Sequence, residues 1–532
     1  MKNNISRKLL ALFVVRTAEL KQSRGMAAGV VRRRLALAGA GAPPPPTCSQ
    51  SAAAIPKVKD DAFLRWLRSK AGSGISSALR VGTSPLGLGL GLGRSLLCLC
   101  FREEKKGCFF WALSIVLLLV RSLLASRPIQ EGDCILQLPH TAQLTQDKLP
   151  QEVRLLLDDD PIAGDTAAKV AVLLMMEQHL GHESGWAPYV TSLPPKDQMH
   201  NMMFWDLNEL HTVTSSSIYD ETIQQKEHVL RQFSAVKPAL EHFPHLFGEI
   251  KLEDFMHASA LVSSRAWQTS RGVSLIPFAD FLNHDGVSNS ILVYDEQKDV
   301  SEVIADRNYA VGEQVMIRYG KYSNATLALN FGFTLSRNIY DQAHIWIDMS
   351  EGDPLYKKKL DIWQKHRTPK SEHACSSGCT RTSFAIKEVK YSGDKGVGIP
   401  QVLRAFVRVF CATSIEELDA MAMEAAENDG RLARRPLKHA EREVHAHRKL
   451  LLHLDNMIQG HSTAIEQLEI VDGAASRSMH PFRKEMAKNL LAGELQVFQS
   501  VHAWVANYCK TVRSMHERER SIASPVQMNG TL

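Results

Sequence analysis

The apolar and polar positions along the chain follow two different periods, which separate strand-rich from helix-rich stretches. Alternating apolar positions, typical of half-buried strands, occur over residues 121–138 and return from residue 274 to 349. Between them, apolar residues recur at three- and four-residue spacing, as in amphipathic helices. We therefore predict an α+β domain over residues 60–349, in which residues 165–262 form a helical insert.

The last third of the chain has a helical period almost throughout. Its long amphipathic stretches are QVLRAFVRVFCATSIEELDAM, EREVHAHRKLLLHLDNMI and RKEMAKNLLAGELQVFQSVHAWVANYCKTV. They predict a separate all-helical domain over residues 350–515, followed by a tail at residues 516–532. In the helical insert, KLEDFMHASALVSSRAW predicts a final helix that ends near Ser264 and Arg265.

An apolar block interrupts the first strand region. Its core, GCFFWALSIVLLLV, spans residues 107–120, whereas a helix needs roughly 20 apolar residues to cross a bilayer. The tetrapeptide RSLL occurs on both sides of the block, so removing residues 95–121 leaves the continuous sequence GRSLLASRPIQEGDCILQLP. This remainder predicts a strand, a turn and a second strand. We interpret residues 97–122 as an insertion into a hairpin, with a membrane anchor as the alternative.

Length and composition indicate a soluble globular protein with two or more domains, since the chain has 532 residues, 44% of them hydrophobic and 23% charged. The formal net charge is +6, but residues 1–59 contain eleven Lys or Arg and one acidic residue. The remainder therefore carries 6 − 10 = −4 charges. A nucleic-acid-binding domain would carry its own basic excess, so we do not expect a nucleic-acid partner.

The basic leader, residues 1–59, contains MAAGVVRRRLALAGAGAPPPPTCSQSAAA and is nearly free of acidic residues, as organelle transit peptides are. It predicts import into the chloroplast stroma or a mitochondrion rather than a cytosolic location; the alternative is a disordered basic tail. Nine scattered cysteines fit a reducing compartment. His373, Cys375 and Cys379 do not complete a tetrahedral site, so we predict no metal.

Three motifs occur in a characteristic order: PLGLGLGLGRS at residues 85–95, IPFADFLNHD at residues 276–285 and RYGKYSNATLALNFGF at residues 318–333. Together they resemble the SET-domain methyltransferases, specifically the plant Rubisco large-subunit methyltransferase-like family. The resemblance covers about residues 60–515. It implies a knotted SET-type β fold with a helical insert, followed by a helical substrate-binding domain.

The same resemblance implies S-adenosyl-L-methionine as the cofactor. Glycines allow close backbone approach to such a ligand because they lack Cβ. Ser264, Arg265 and Asp280 would meet the amino-acid end of the cofactor or its neighbours, and Asn283 and His284 would lie near the adenine. The predicted cofactor-binding residues are Leu88, Gly89, Leu90, Gly91, Leu92, Ser264, Arg265, Asp280, Asn283, His284, Tyr319 and Phe333.

By resemblance, Tyr319 is the catalytic tyrosine, and Phe331 and Phe333 are aromatic walls of the substrate channel. Phe331 stands where a tyrosine is common in the family, so a hydroxyl that could limit the number of methyl groups added is absent. The residues alone also allow simpler roles. Asp280 could be a turn residue, His284 a core histidine with satisfied hydrogen bonds, and Tyr319 a tyrosine packed in the core.

We predict an S-adenosylmethionine-dependent protein-lysine N-methyltransferase that acts on a non-histone protein. One alternative is a protein-histidine N-methyltransferase of the same fold, and another is a non-catalytic SET-like binding module. The apolar insert favours the binding module because it directly follows the glycine run. We expect the helical domain to bind the protein substrate, the protein to act as a monomer, and no membrane to take part.

Overall fold

The protein is described from a computed structural model. The structure describes residues 57–72, 78–85, 119–348, 352–366, 381–390, 396–470 and 479–523. All described elements from Val58 onward belong to one compact unit. Residues 1–56 of the predicted leader lie outside the described residues, as do the glycine run at residues 86–93 and most of the apolar block.

From residue 119 onward, blocks of strands and blocks of helices follow one another in the order that the two sequence periods predict. The strands are β1 (Leu79–Pro85), β2 (Leu119–Ala125), β3 (Cys134–Pro139), β4 (Leu144–Thr145), β5 (Ala266–Thr269), β6 (Gly272–Leu275), β7 (Asn283–His284), β8 (Leu292–Asp295), β9 (Val300–Ile304), β10 (Gln314–Ile317), β11 (Gln342–Asp348) and β12 (Arg381–Lys387). The helices are α1 (Lys57–Ala71), α2 (Gln151–Asp158), α3 (Thr166–Leu180), α4 (Ala187–Val190), α5 (Leu207–His211), α6 (Ile218–Leu240), α7 (Pro244–Phe247), α8 (Leu252–Arg265), α9 (Asn324–Thr326), α10 (Tyr356–His366), α11 (Gln401–Phe410), α12 (Ile415–Glu427), α13 (Ala440–Ile470) and α14 (Pro481–Ala523).

The sheet that carries the candidate site has the strand order β1-β2-β10-β7. β1 and β2 are antiparallel, with Leu79 opposite Ala125 and Pro85 opposite Leu119. β10 pairs with β2 on one side and runs parallel to β7 on the other. As a result, the end of β7 and the end of β10 lie side by side, although about 30 residues separate them in the sequence.

The hairpin predicted from RSLLA and CILQL is wrong in its pairing. Both segments are strands, and residues 130–133 form the predicted turn, in which the amide of Asp133 donates to the carbonyl of Gln130 over 3.1 Å. However, β2 pairs with β1 and β10, whereas β3 pairs with β9. Ile129, directly before the turn, forms an isolated bridge with the distant Tyr309, and the two strands lie in different sheets.

Two further sheets complete the β region, with strand orders β3-β9-β8 and β4-β6-β5. β9 alternates buried Ser301 and Val303 with more exposed neighbours, as its sequence period predicts. β5 follows α8 directly and turns back through Gly272 into β6. Since β6 leads into IPFADFLNHD, this hairpin connects the end of α8 to the site motif.

The predicted helical insert contains helices α3 to α8. α3 is buried along nearly its whole length, from Ala168 to Glu177, and packs against α8. The Asp165 carboxylate caps its first turn by accepting from the amide of Ala168. α8 ends at Arg265, as its apolar period predicts, and this delivers the Arg265 side chain to the edge of the strand region.

The described residues of the C-terminal region are mainly helical, with one strand as the exception. α13 and α14 pack along each other, and their apolar faces share a core with α11 and α12. The exception is β12, which pairs with β11 and places Phe384 and Ile386 in this core. β11 lies within the predicted SET limits but packs here as well, so the domain boundaries at residues 59, 349 and 515 stay predictions.

A buried ion pair crosses this helical core. The Arg408 guanidinium and the Glu443 carboxylate are both fully buried, and their Nη2 and Oε1 atoms are 2.5 Å apart. The Tyr508 hydroxyl also donates to Glu443 over 2.7 Å. Although burial opposes ionisation, the Arg408 charge lowers the pKa of Glu443 to about 2, so the pair is ionised at neutral pH.

Candidate active site

Tyr319 lies two residues beyond the end of β10, where the chain leaves the sheet. Its phenolic oxygen donates to the carbonyl oxygen of Leu282 over 2.7 Å. Its backbone amide donates to Nδ1 of His284 over 3.1 Å. Both bonds reach the strand-end motif that carries β7, so the parallel pairing of β7 and β10 fixes the position of the Tyr319 side chain.

Aromatic rings surround Tyr319 on several sides. The Phe331 ring is stacked on it, with centroids 5.3 Å apart and an angle of 26° between the planes. Phe333 and Trp267 approach edge-on at 6.5 and 6.4 Å, and the His284 ring lies 5.1 Å away. These side chains remain partly exposed, so they form an aromatic wall around Tyr319 rather than a closed core cluster.

The phenol of Tyr319 is neutral at physiological pH. Burial raises its pKa above the ordinary value of a tyrosine, and the positive charge of Arg265 offsets this in part. A phenol with a raised pKa is a poor general base near pH 7. The hydroxyl can therefore orient a ligand by hydrogen bonding, with its proton committed to the Leu282 carbonyl and its lone pairs available as acceptors.

Asn283 and His284 form β7, opposite Met316 and Ile317 of β10. The Asn283 side-chain amide donates to the Arg121 carbonyl of β2 over 3.4 Å. Both side chains of the pair are half-exposed. Their strand pairing therefore holds one amide and one imidazole beside the aromatic rings that surround Tyr319.

The imidazole of His284 is neutral at pH 7. Burial lowers its pKa to about 4, and the nearby Asp285 carboxylate opposes this lowering. A neutral imidazole has one bare nitrogen, and the Tyr319 amide donates to Nδ1. His284 is thus an acceptor that fixes the backbone of Tyr319 and presents an uncharged ring to the site.

Asp280 is the buried partner of Arg265. Its carboxylate is fully buried, and Oδ2 accepts from Nη1 of Arg265 at 3.3 Å and from the Tyr189 hydroxyl at 3.1 Å. The same Nη1 also donates to the Asp280 carbonyl at 3.0 Å. Burial raises the pKa of Asp280, whereas Arg265 lowers it.

The Ser264 side chain, predicted to lie at the site, makes its hydrogen bond within its own helix. Its hydroxyl donates to the carbonyl of Ala260, one turn earlier in α8, over 2.7 Å. Such a bond to residue i−4 is common for serine in a helix. In this structure Ser264 therefore completes the last turn of the helix that carries Arg265.

The SNA segment at residues 323–325 is anchored behind Tyr319. Ser323 caps α9, and the Asn324 amide donates to Oδ1 of Asp341 over 2.6 Å. Burial raises the pKa of Asp341 to about 7, and the Asn324 bond opposes this. The Asn324 side chain also reaches the carbonyl of Asn489 on α14 at 3.5 Å, so the SNA segment contacts the C-terminal helices.

The structure brings most of the predicted residues together around one centre. Tyr319, His284, Phe331 and Phe333 are in direct ring contact, and Asn283 is the strand neighbour of His284. Arg265 and Asp280 form the ion pair described above. Leu88, Gly89, Leu90, Gly91 and Leu92 lie outside the described residues, so their predicted cofactor contacts stay predictions.

Sequence reasoning missed three contributors: Trp267, Tyr189 and the Leu282 carbonyl. Trp267 lies two residues after the predicted Ser264-Arg265 pair, and strand alternation through β5 could have placed it on the site face. Tyr189 is far away in the sequence, and no local pattern marks it. A backbone carbonyl carries no sequence signal at all.

The residues at this centre fit the predicted cofactor, S-adenosyl-L-methionine. Arg265 remains 25% exposed and uses Nη1 on Asp280, which leaves other guanidinium donors for a ligand carboxylate. The half-exposed amide of Asn283 and the neutral ring of His284 match the polar edge and flat face of an adenine, beside the Phe333 ring. These residues would hold the two ends of the ligand.

Two further kinds of site, a metal site and a membrane-spanning helix, are absent from the described part of the chain. Among those residues, no group of three or more His, Cys, Asp or Glu side chains is arranged to hold a metal ion. Cys375 and Cys379 lie outside that part. Within the described ranges, none of the helices combines the length and apolar character that a membrane crossing requires.

Two family models match the chain in succession. Residues 120–320 match the SET domain, and residues 350–498 match the Rubisco LSMT substrate-binding domain. Among curated proteins, the actin-histidine N-methyltransferases of Otolemur garnettii and Canis lupus familiaris are 25% and 26% identical over 308 residues. These alignments cover 55% of this chain and 48% and 49% of the relatives, so the chain spans about half the length of the curated relatives it matches.

Solved structures share the fold over nearly the whole length. The SET domain of LSMT bound to lysine and AdoHcy has a TM-score of 0.60 at 20% identity, covering 90% of this chain and 98% of that one. Rubisco LSMT bound to sinefungin and monomethyllysine has a TM-score of 0.61 at 20% identity, covering 89% and 97%. The chain belongs to the SET-domain proteins with a Rubisco LSMT-type substrate-binding domain, so the predicted family and fold class are confirmed.

Proposed function

We propose that the protein is an S-adenosylmethionine-dependent protein N-methyltransferase whose acceptor is a lysine side chain. The observation that carries this proposal is the Tyr319 hydroxyl. It is neutral, bonded to the Leu282 carbonyl and stacked against Phe331. SET folds bound to lysine and to monomethyllysine, in Rubisco LSMT, support the same choice of acceptor.

A lysine suits the aromatic wall on physical grounds. Its four-carbon stem can lie against the rings of Phe331 and Trp267, and ring faces attract a cationic amine before it loses its proton. An amine with an ordinary pKa near 10.4 costs roughly 3 to 5 kcal/mol to hold neutral at pH 7 to 8. Burial among these rings lowers that cost because it disfavours the charged form.

The residues of this chain act by orientation and by exclusion of water. The lone pairs of the Tyr319 oxygen accept an N–H bond from the entering amine, so the nitrogen lone pair is directed away from the phenol. The neighbouring rings remove water from the nitrogen, which raises its nucleophilicity. Because the pKa of Tyr319 is raised by burial, we assign it no role as the base that takes the amine proton.

When bound, S-adenosyl-L-methionine supplies an electrophilic methyl group, which the acceptor nitrogen takes as a thioether leaves. Arg265, Asn283 and His284 would hold it, together with the predicted glycine run at residues 88–92. Binding of AdoMet in a Rubisco LSMT structure of the same fold supports this assignment. The helical C-terminal domain would bind the protein substrate, in line with the family model that it matches.

Histidine is the second candidate acceptor. It is favoured by the curated relatives, which are actin-histidine N-methyltransferases, although they are 25–26% identical. A flat imidazole could stack on Phe331 as a lysine stem can. The two acceptors differ in the methylated product, because a lysine amine takes up to three methyl groups.

The experiment is transfer of labelled methyl groups to a protein extract, followed by acid hydrolysis and separation of methylated amino acids. We expect the label in methyl-lysine. Label in methylhistidine would identify histidine, and not lysine, as the acceptor. If the protein neither transfers methyl groups nor binds S-adenosylhomocysteine, it would be a non-catalytic binding module. Extracts from chloroplasts, mitochondria and cytosol also test the organellar location that we propose from residues 1–59.

A further inference from the structure

Tyr189 belongs to α4 in the helical insert, far in sequence from the motif residues, and its side chain is fully buried. Its hydroxyl ends 3.1 Å from Oδ2 of Asp280. The phenol must donate in this bond, because an ionised carboxylate has no proton to give. This hydrogen bond therefore links α4 of the helical insert to the candidate site.

The Asp280 carboxylate, which accepts this bond, has few other hydrogen-bond donors around it. Asp280 is fully buried, and its other oxygen, Oδ1, has no hydrogen-bond partner among the described residues. A buried carboxylate stays ionised when charges and donors compensate for the lost water. Here Arg265 and Tyr189 supply these contacts, and the charge of Arg121 adds a weaker contribution.

Asp280 in turn holds Arg265. A single nitrogen, Nη1, bonds both the carboxylate and the carbonyl of Asp280, at 3.3 and 3.0 Å. The guanidinium is 25% exposed and lies close enough to Tyr319 to lower the pKa of its phenol. A protonated Asp280 would keep the carbonyl contact but lose the ionic one, so the guanidinium would turn more freely.

The segment around Tyr189 is rigidly placed. The Ser192 hydroxyl donates to the Tyr189 carbonyl over 2.6 Å, and the Ser192 carbonyl accepts from Nη1 of Arg121 over 2.7 Å. Arg121 belongs to β2, in the sheet that carries the site. This connection fixes α4 against the strands, so Tyr189 has a defined position relative to Asp280.

We propose that Tyr189 is a positioning residue of the methyl-transfer site, which keeps the Asp280 carboxylate ionised and thereby orients the Arg265 guanidinium toward the cofactor. The inference rests on the proposed function, since it assigns Arg265 to the cofactor. The charged and titratable groups that face Asp280 are Arg265 from α8, Arg121 from β2 and Tyr189 from α4. The charges of both members of the ion pair also affect the pKa of Tyr319, which follows β10.

The test uses Tyr189→Phe in the full chain, with S-adenosylhomocysteine binding measured by calorimetry between pH 5.5 and 8.5. Removing the hydroxyl makes ionisation of Asp280 harder. We expect about a tenfold loss of affinity at the acid end, and a return toward the wild-type value as the pH rises and Asp280 ionises. Tyr309→Phe is the matched control, because its buried hydroxyl also donates to a carboxylate, Asp306, over 2.8 Å.

Asp280→Asn completes the test, because an amide cannot ionise. It should bind weakly at every pH, and adding Tyr189→Phe to it should cause no further loss, as expected for two residues that act through one contact. An unchanged affinity profile in Tyr189→Phe overturns the inference. So does a loss that is constant with pH and follows the melting temperature, which would make Tyr189 a structural residue. Wild-type protein that binds no S-adenosylhomocysteine would instead refute the proposed function.

Discussion

The phenolic oxygen of Tyr319 lies 2.7 Å from the carbonyl oxygen of Leu282, and the Tyr319 amide lies 3.1 Å from Nδ1 of His284. Side chain and backbone of one residue are thus both bonded to one short segment of IPFADFLNHD. The backbone bond survives when the hydroxyl is removed. A substitution at Tyr319 can therefore test the hydroxyl while the local chain keeps its course.

Tyr319→Phe should lower turnover about a hundredfold or more, since it removes the oxygen that accepts from the entering amine, and loss of one preorganised active-site hydrogen bond costs about 2.7 to 4 kcal/mol in the transition state. The Leu282 carbonyl loses its partner, so we expect about 1 kcal/mol of destabilisation and nearly unchanged S-adenosylhomocysteine affinity. Methyl transfer and a thermal melt measure both effects. Tyr322→Phe is the control: it removes a hydroxyl whose ring contacts the same Phe331, and should retain activity. Near-normal transfer by Tyr319→Phe would make Tyr319 a packing residue.

Phe331→Tyr should reduce the number of methyl groups added to one lysine. The Phe331 ring stacks on Tyr319 at 5.3 Å, so a new hydroxyl would lie beside the acceptor nitrogen and occupy space for a methyl group or water. Mass spectrometry of the product after long incubation gives the distribution of methylation states. Phe331→Leu keeps an apolar side chain without a hydroxyl and should not favour monomethylation. The same distribution in wild type and Phe331→Tyr would contradict this role.

The contribution of His284 to protein stability should fall as the pH decreases from about 6.5 to 4, opposite in direction to that of Asp341, whose pKa burial raises to about 7. Burial holds the pKa of His284 at about 4, below its ordinary value near 6.5. Between these values the unfolded chain binds more protons than the folded protein, so stability rises with pH. The contribution of His284 is fully present above pH 6.5 and is lost toward pH 4.

Denaturant unfolding at several pH values measures this slope. His284→Asn should flatten it while leaving some dependence, because burial also lowers the pKa of His447 and His200 to about 4. His445→Asn, at an exposed helix position, should keep the wild-type slope. A wild-type slope in His284→Asn would mean that His284 is not among the groups that cause it.

The sequence predicted those parts of the site that lie on short motifs. Asn283 and His284 stand next to each other, and Tyr319 stands in one segment with Phe331 and Phe333, so local patterns contain them. Tyr189 could not be found this way, because its contact with Asp280 joins residues 91 positions apart. Long-range contacts of this kind depend on how the helical insert packs, which local periodicity does not encode.

The hairpin prediction failed for the same reason. The residues of β2 and β3 have strand periods and a correct turn between them, and local pattern favours pairing of such neighbours. The pairing partners are instead β1, β9 and β10, and the last two follow β3 by more than 150 residues. Local sequence thus predicts here which residues form a strand, whereas the pairing of strands depends on the whole sheet.

In the sequence, most of the apolar block lies between the paired strands β1 and β2. Pro85 and Leu119 are strand partners, so the segment between them leaves and re-enters the sheet at adjacent positions. A shorter connection can therefore close the same two strands. Removing residues 95–121 also removes the first three residues of β2, Leu119–Arg121. Leu92–Arg94 would take their places before Ser122, and residues 86–91 of the glycine run would form the connection.

The variant that lacks residues 95–121 should be more soluble than the full chain and bind S-adenosylhomocysteine at least as tightly. Arg94 can renew two contacts of the Arg121 side chain, the bond to the Ser192 carbonyl at 2.7 Å and the cation–π contact with Phe281 at 4.9 Å. The same deletion with Arg94→Ala is the control, and we expect it to be less stable by about 1 to 2 kcal/mol. Sedimentation, thermal melts and calorimetry measure the three properties. A folded, soluble deletion variant without affinity would show that the apolar block is part of the cofactor site, whereas retained affinity would place it outside.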